Sequence, residues 1–308
     1  MEKSSILVSG ADGYIASYLI RGFRALGFSV HTASRSQNGE LYLDFSQPAQ
    51  IAGASISGIE TMLHTVSPNE ALFKADPCRA AAENAAGIHA ALDFCVRNHI
   101  ENFIYFSSFH VFGNRGGLLD EATPPSPGND YGLGHLVSEQ TVMLYDRLKK
   151  LNGWILRPSN LFGVPVDLDR FRRWNLIPFA FCAEAVRKKS ITLLTPGNQM
   201  RNFVGIGDVF RKTAWILENA PSRRIFHAYG NETISVYEYA RRVQAIGSEI
   251  IGETVPINRP DGGCEAAPFS FTSLETDPEL LPRDYLDDFI RELTVLLAAR
   301  QERDLGLK

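Results

Sequence analysis

A glycine-containing turn at residues 9–16 constrains the fold of this chain more than any other part of its sequence. The turn is Ser-Gly-Ala-Asp-Gly-Tyr-Ile-Ala, and it lies between an apolar strand pattern at 6–9 and a helical pattern at 14–26. Gly10 permits a tight turn, Gly13 lets the backbone approach a pyrophosphate closely, and the open N-terminus of the helix favours anions. In this context the turn predicts dinucleotide binding. The predicted contacts are Gly10, Asp12, Gly13, Tyr14 and Ile15.

The remaining chain alternates strand and helix patterns as far as about residue 163. Further strands are predicted at 28–33, 61–66, 103–106 and 154–157, with a brief one at 203–205 beyond this part, and further helices at 76–98 and 131–149. The helix at 131–149 has one mainly apolar face, formed by Leu133, Leu136, Val137, Gln140, Leu144 and Leu148. This alternation is typical of a parallel sheet with helices on both faces. We therefore predict an α/β Rossmann fold, a doubly wound parallel sheet, with a smaller mixed α/β C-terminal substrate domain. The predicted dinucleotide-binding domain is 1–163 plus about 203–228, and the substrate domain is 164–202 and 229–308.

The composition argues against several other classes of protein. The chain has 308 residues and a formal net charge of -4, a balance that disfavours a general nucleic-acid or anionic-membrane binder. No apolar run approaches the roughly 20 residues of a spanning helix, and a strand pattern begins almost at the N-terminus, so we expect a cytoplasmic protein without a signal peptide. The widely spaced cysteines indicate reduced thiols and no metal site. They are Cys78, Cys95, Cys182 and Cys264.

The end of the second predicted strand bears on the choice of dinucleotide. An NAD site places a carboxylate there for the ribose 2′-OH, whereas an NADP site uses positive charge and hydroxyl groups for the 2′-phosphate. The chain has Ser34, Arg35 and Ser36 at this point and no acidic residue. This favours NADP, bound by Ser34 and Arg35, with NAD as the alternative. Further predicted cofactor contacts are Asp44 and Phe45 near the adenine, and Thr65, Val66 and Ser67 along the channel.

Short segments follow one another in a fixed order over residues 5–285. They are the turn at 9–16, Leu63-His64, Asp76-Pro77, Asn84 with Gly87, 106–113, Tyr131-Gly132, 139–140, 157–163, 201–204 and Asp208-Val209. Each segment is weak evidence alone, but the ordered series is specific. It resembles the extended short-chain dehydrogenases/reductases of the NAD-dependent epimerase/dehydratase, or nucleotide-sugar, family. The resemblance implies hydride exchange between a sugar carbon and a nicotinamide, and a cofactor contact at Asn84.

The resemblance also implies a catalytic hydroxyl pair, which falls at Ser108 and Tyr131. A tyrosine has a pKa of about 10 in water, so the phenol needs nearby positive charge to exchange a proton at neutral pH. The family's Lys, four residues after the Tyr, is replaced here by His135. A neutral histidine can bond a ribose hydroxyl but lowers the phenol pKa less. The hypotheses are a slower or more alkaline enzyme, or a catalytically decayed dinucleotide-binding sensor or scaffold protein.

The residues after Ser108 narrow the reaction that the resemblance implies. Family dehydratases carry an Asp-Glu pair where this chain has Phe109 and His110, and Phe cannot transfer a proton. We therefore expect hydride transfer at one carbon, by an NADP(H)-dependent 4-ketoreductase or, alternatively, by a 4-epimerase with tightly bound NAD. The predicted substrate contacts are Ser108, His110, Asn160 and Arg201, the last two at the nucleotide diphosphate. Helices 76–98 and 131–149 are similar to the pair that forms a homodimer interface in the family.

Overall fold

The computed structural model describes residues 4–36, 39–263 and 267–304. Its strands are β1 (Ser5–Ser9), β2 (Ser29–Ser34), β3 (Leu41–Tyr42), β4 (Thr61–His64), β5 (Asn102–Phe106), β6 (Gly117–Leu119), β7 (Asn152–Pro158), β8 (Asn160–Phe162), β9 (Ile191–Thr192), β10 (Met200–Gly205), β11 (Ile225–Ala228), β12 (Glu232–Ser235), β13 (Ile257–Asn258) and β14 (Phe269–Phe271). Its helices are α1 (Tyr14–Ala25), α2 (Pro48–Ile51), α3 (Glu70–Ala75), α4 (Pro77–Arg97), α5 (Asp130–Arg147), α6 (Ile177–Lys188), α7 (Ile206–Asn219), α8 (Val236–Ile251) and α9 (Leu286–Asp304).

The central sheet is parallel throughout the described residues. Its seven strands lie in the order β11-β7-β5-β4-β1-β2-β3. Ile6 of β1 is paired with Val30 of β2 on one side and with Thr61 of β4 on the other. The chain adds β2 and β3 on one side of β1 and then β4, β5, β7 and β11 on the other. The place where the strand order reverses is the topological switch point, and ligands of such sheets bind there, beyond the carboxyl ends of the strands. The predicted doubly wound α/β fold is confirmed.

The two faces of the sheet are packed separately because side chains alternate along each strand. Leu7 points into a cluster that includes Ile88 of α4 and Val142 of α5. Ile6 and its partner on the same face, Val8, enter a second cluster that contains residues of α1 and α7. All three β1 side chains are fully buried. The continuous apolar run at 6–8 is therefore the pattern of a central strand that is covered on both sides.

A smaller layer follows the central sheet in the chain. Strand β10 pairs with β8 in parallel and with β12 in antiparallel orientation, so the strand expected at 203–205 belongs to this second sheet, whereas β11 joins β7 in the central one. Helices α6, α8 and α9 share a separate apolar cluster. The division into a dinucleotide-binding domain and a substrate domain stays a prediction.

Helix α5 turns a mainly polar face toward the protein. Asn129 caps its N-terminus by accepting a hydrogen bond from the Gly132 N–H at 2.8 Å. The buried face of the helix includes Gly134, His135, Ser138 and Glu139, and farther along it the apolar Val142. The apolar face that its periodicity predicts is largely exposed instead. Its members Leu133, Val137, Leu144 and Leu148 are 50%, 40%, 41% and 56% exposed.

A buried ion pair holds α5 on the central sheet. Arg157 of β7 donates to Glu139 from Nε to Oε1 at 2.8 Å and from Nη2 to Oε2 at 2.6 Å. The two side chains are 2% and 0% exposed. Ser107, at the end of β5, donates to the same carboxylate at 2.6 Å. The carboxyl ends of β5 and β7 are therefore joined to the middle of α5.

In the described part of the chain, no helix is both long enough and apolar enough to span a membrane. The same part contains no group of three or more His, Cys, Asp or Glu side chains that could hold a metal ion. Cys78, Cys95 and Cys182 are free thiols, and the fourth cysteine, Cys264, lies outside the described residues.

We predict that Glu139→Gln destabilises the protein strongly. The variant leaves the Arg157 guanidinium buried without its counter-charge, a change that costs about 3–5 kcal/mol in buried pairs. Urea and thermal unfolding of both proteins measure the effect. The control is Glu83→Gln, which breaks a pair with Arg79 on the surface of α4 and should leave the unfolding midpoint nearly unchanged. Equal midpoints for the two variants would contradict the role given to the buried pair.

Candidate functional site

The glycine turn at 9–16 forms a cradle beyond the carboxyl end of β1. Gly10 has φ +75°, and its N–H and that of Ala11 both donate to the Ala33 carbonyl, at 2.9 and 3.1 Å. A Cβ at Gly10 would lie 2.8 Å from Thr65 Oγ1, and one at Gly13 would lie 2.9 Å from the Gly10 carbonyl oxygen. Gly13 is the N-cap of α1 and has no side chain to cap it. The first turn of α1 therefore faces the cradle as an anion-binding helix end.

The other predicted contacts around the turn have their own partners in the protein. Thr65 Oγ1 donates to the Ser9 carbonyl at 2.8 Å and so forms one wall of the cradle, with Val66 and Ser67 following it. The Tyr14 hydroxyl donates to the Gly163 carbonyl at 2.8 Å, and burial raises its pKa. Its side chain thus joins the turn to the chain that follows β8. A cofactor contact of Tyr14 and Ile15 through the backbone stays a prediction.

Three further predicted cofactor contacts, Asp44, Phe45 and Asn84, are engaged in structural contacts. The Asp44 carboxylate accepts from the N–H and the hydroxyl of Ser46, at 3.0 and 2.7 Å. The Phe45 ring is buried, 4.9 Å from the ring of His64. Asn84 donates to the Gly134 carbonyl at 2.8 Å and to another group of α5, which joins α4 to α5. Cofactor binding by these three side chains stays a prediction.

A carboxylate lies at the end of β2, although β2 itself contains none. The hydroxyl groups of Ser34 and Ser36 both donate to Asp12 of the glycine turn, the latter at 2.6 Å. Arg170, from the segment before α6, forms an ion pair with the same carboxylate. Arg35 is exposed. The sequence placed Asp12 in the turn, but only the pairing of β1 with β2 brings it to the two serines.

Ser108 and Tyr131, the predicted catalytic pair, lie close together. The Ser108 hydroxyl and the Arg173 guanidinium are both near enough to the Tyr131 hydroxyl to influence its pKa. Burial raises the pKa of Tyr131 above its ordinary value and the charge of Glu70 adds to this, whereas Arg173 and Ser108 act in the opposite direction. Sequence analysis gave no role to Arg173, because nothing in its local sequence indicates that it reaches Tyr131.

His135 lies where the family's Lys is expected, and it is buried and neutral. Its Nδ1 shares a hydrogen bond with the Tyr105 hydroxyl at 2.7 Å, and its ring meets the Tyr131 ring edge-to-face at 4.7 Å. Burial, together with the charges of His110 and Arg173, lowers the pKa of His135 to about 3. Nε2 has no hydrogen-bond partner among the described residues. This atom therefore suits a hydrogen bond to a bound molecule.

These features fit a bound dinucleotide at both of its ends. The open N-terminus of α1 beside Gly10 and Gly13 fits a pyrophosphate. The buried Nε2 of His135, next to Tyr131, fits a ribose hydroxyl near the nicotinamide. Between these ends, the cradle wall at Thr65 borders the channel that the sequence predicts.

Of the predicted substrate residues, His110 packs against Tyr131, and Asn160 contacts β10, the strand that contains Arg201. The His110 ring is 4.4 Å from Phe109 and 5.5 Å from Tyr131. Burial lowers the pKa of His110, and the charge of Arg201 acts in the same direction, which places Arg201 near this ring. Asn160 donates to a backbone carbonyl of β10 at 2.9 Å. Binding of a nucleotide diphosphate by Arg201 and Asn160 stays a prediction.

Comparison with known proteins finds a matching family model, related sequences and solved structures of the same fold. The family model described as "NAD dependent epimerase/dehydratase family" matches residues 6–229. A putative UDP-glucose 4-epimerase of Methanocaldococcus jannaschii is 26% identical over 218 residues, 66% of this chain and 70% of the relative. A dTDP-4-dehydro-6-deoxy-D-allose reductase of Streptomyces bikiniensis is 23% identical over 275 residues, 79% and 81% of the two chains. UDP-glucose 4-epimerase from Thermotoga maritima, solved with UDP-glucose, has the same fold, with a TM-score of 0.76, 18% identity and coverage of 96% and 99%.

We predict that Gly10→Ala lowers the affinity for the pyridine dinucleotide about 10-fold or more, which corresponds to about 1.4 kcal/mol. The added Cβ would collide with Thr65 and strain a backbone at φ +75°, so the cradle must change shape. Isothermal titration with NAD and NADP measures the loss. Gly27→Ala is the matched control, because Gly27 has φ +83° and no described atom lies within 4 Å of its Cβ position. Equal affinities of the two variants would contradict the cradle.

Proposed function

Because this chain belongs to the NAD dependent epimerase/dehydratase family, we propose that it is a nucleotide-sugar 4-epimerase that uses bound NAD. The hydroxyl pair of Ser108 and Tyr131 supports hydride chemistry at a carbinol carbon. Phe109, beside this pair, cannot exchange a proton and argues against the elimination of water. The observation that supports the epimerase is the Asp12 carboxylate at the end of β2, since epimerases of this family generally retain NAD.

The choice of dinucleotide rests on what Ser34 and Ser36 bind. Sequence analysis assigned Ser34 and Arg35 to a 2′-phosphate, but both serine hydroxyls donate to Asp12. A phosphate at the same hydroxyls would be repelled by this carboxylate. A carboxylate at the end of the second strand is instead the group that accepts from the ribose 2′-OH of NAD. We therefore propose NAD as the cofactor.

The proposed reaction removes and returns one hydride at the same sugar carbon. The dinucleotide, when bound, supplies the hydride acceptor and then the donor. As the phenolate, Tyr131 takes the proton of the sugar hydroxyl while the C–H bond breaks, and Ser108 holds the oxygen that becomes a carbonyl. After the ketone has turned its other face, the C–H bond forms again. Tyr131 then returns the proton to the oxygen, so that no net oxidation occurs.

The second candidate is an NADP(H)-dependent 4-ketoreductase. The segment from Ser34 to Ser36, without an acid and with exposed Arg35, favours it. Ser108 and Tyr131 would then orient the keto oxygen, and Tyr131 would give it one proton as the C–H bond forms. Solvent would reprotonate the phenolate. This candidate differs from the first in its cofactor, which would be released after each turnover.

We predict that Tyr131→Phe lowers turnover by a factor of about 10²–10⁴, because proton transfer is lost. The assay follows C4 epimers of UDP- and dTDP-sugars by NMR, with NADPH oxidation by 4-keto sugars in parallel. Tyr145→Phe is the matched control on the same helix, since the Tyr145 hydroxyl donates to Asp93.

Full activity of Tyr131→Phe would contradict the mechanism. Mass spectrometry of the cofactor that co-purifies separates the two enzyme candidates. Saturable dinucleotide binding with no turnover on any sugar would instead support the catalytically decayed sensor or scaffold.

We predict that Asp12→Asn shifts the ratio of NAD affinity to NADP affinity about 10-fold toward NADP, equivalent to about 1.4 kcal/mol. The change removes the negative charge but keeps a polar side chain beside Ser34 and Ser36. Competition titrations with both dinucleotides measure it. Glu40→Gln removes one charge elsewhere near β2 and controls for net charge. An unchanged ratio would remove the support for NAD.

A homodimer through α4 and α5 is part of the proposal. The exposed apolar face of α5 defined above is a surface that a second copy would cover. We predict that Leu144→Glu, in this face, converts a dimer to a monomer. Light scattering coupled to gel filtration measures the mass, and Leu194→Glu, at a residue that is 92% exposed, is the control. A monomeric wild-type protein would refute the dimer.

A further inference from the structure

The hydroxyl of Tyr105 lies inside the protein, on a strand in the middle of the central sheet. Tyr105 belongs to β5, between β4 and β7, and is 1% exposed. Its ring is part of the apolar cluster that also contains residues of α4 and α5. A buried phenol hydroxyl needs a hydrogen-bond partner, and this one lies 2.7 Å from Nδ1 of His135 on α5. The strand therefore holds one nitrogen of the histidine that replaces the family's Lys.

This contact fixes the direction in which the His135 ring faces. The residue is 4% exposed, and with Nδ1 at the Tyr105 hydroxyl the other nitrogen, Nε2, is directed away from it. Nε2 is buried and has no hydrogen-bond partner among the described residues. The Tyr131 ring lies edge-to-face with the imidazole at 4.7 Å. Nε2 is thus the ring atom left for a molecule bound beside Tyr131.

The direction of the hydrogen bond between Tyr105 and His135 decides what Nε2 can do. Burial lowers the pKa of His135 and raises that of Tyr105, so both side chains are neutral near neutral pH. A neutral imidazole has one donor nitrogen and one acceptor nitrogen. Protonated imidazole has a pKa of about 6.5, whereas a phenol oxygen is a much weaker base, so the phenol O–H donates and the nitrogen accepts. The ring proton of His135 therefore lies on Nε2.

The polar groups next to this pair favour the same direction. Asn84 donates to the Ser138 hydroxyl at 3.0 Å, which leaves Ser138 its own proton for another acceptor. Ser138 is near enough to the Tyr105 hydroxyl to act against the rise in its pKa, as a donor to the phenol oxygen does. A donor at that oxygen leaves the O–H of Tyr105 for His135.

We propose that Tyr105 fixes the tautomer of His135 so that Nε2–H donates a hydrogen bond to a ribose hydroxyl of the bound dinucleotide. The inference rests on the proposed function in that a dinucleotide binds beside Tyr131. Tyr105 is a positioning residue, because it acts through His135 and does not contact the dinucleotide itself. The two side chains together supply an N–H donor at the position of the family's Lys, without the positive charge of a lysine.

The first experiment identifies the tautomer in the ligand-free protein and needs no turnover. Two-bond proton–nitrogen correlation spectra of protein with isotope-labelled histidine distinguish a protonated ring nitrogen from an unprotonated one, and the His135 signals are those that His135→Phe lacks. We expect a protonated Nε2 and an accepting Nδ1 in the wild type. Tyr105→Phe should move the Nδ1 signal to that of a nitrogen without a hydrogen bond.

Tyr145→Phe is the matched control for this spectrum, because it removes another phenol hydroxyl from the same apolar cluster. The Tyr145 hydroxyl donates to Asp93 and not to His135, so the His135 signals should stay in place. A proton on Nδ1 in the wild type would overturn the proposal. So would an Nδ1 signal that does not respond to Tyr105→Phe.

The second experiment is a double-mutant cycle on the affinity for NAD, measured by isothermal titration. Tyr105→Phe should lower the affinity about 5-fold in the wild type, because the donor at Nε2 is no longer held in place. In the His135→Phe background, which has no ring nitrogen, the same change should alter the affinity by less than about 1.5-fold. Equal losses in the two backgrounds would show that Tyr105 acts on the fold in general and would overturn the proposal.

The two experiments separate this inference from the proposed function. A wild-type protein with a protonated Nε2 that binds neither NAD nor NADP would overturn the proposed function, and the ribose contact with it. Tight binding of NAD by a protein with the proton on Nδ1 would overturn the inference about Tyr105 and leave the proposed function in place.

Discussion

The bidentate pair between Glu139 and Arg157 is the interaction on which the geometry of the whole site depends. Two opposite charges taken out of water are stable only when their hydrogen bonds are nearly complete, so the pair tolerates little movement. It joins the middle of α5 to β7, and Ser107 adds the end of β5 to the same carboxylate. These contacts therefore fix the position of Ser108, the next residue, relative to Tyr131 in the first turn of α5. The two hydroxyls of the predicted catalytic pair are thus positioned by an ion pair to which neither of them belongs.

The neutral groups and the positive charge of the site come from different parts of the chain. The central sheet and α5 supply neutral, buried groups, such as the His135 ring bonded to Tyr105. The segment before α6 supplies the positive charge next to Tyr131. Arg173, the residue of this segment whose charge acts on Tyr131, is partly exposed to water.

The sequence predicts the strands and helices of the central sheet layer well, but it predicts the long-range side-chain contacts poorly. The apolar run before Gly10 and the alternating patterns predict the central sheet because each depends on neighbouring residues. The contact of Asp12 with the end of β2 depends on strand pairing, and that of Arg173 depends on a loop path, so no local pattern contains either. Periodicity found the apolar face of α5 but not its outward direction, because the inward face is polar and paired. Helix α8 was missed although Ser235 and Glu238 form a recognisable N-cap.

The ion pair of Arg170 with Asp12 and the contact of Arg173 with Tyr131 begin only three residues apart in the chain. Phe171, between them, packs against the rings of Tyr14 and Phe179. One short stretch therefore brings positive charge close to both the Asp12 carboxylate and the Tyr131 hydroxyl. Any change in the path of this stretch would alter the surroundings of both groups at once.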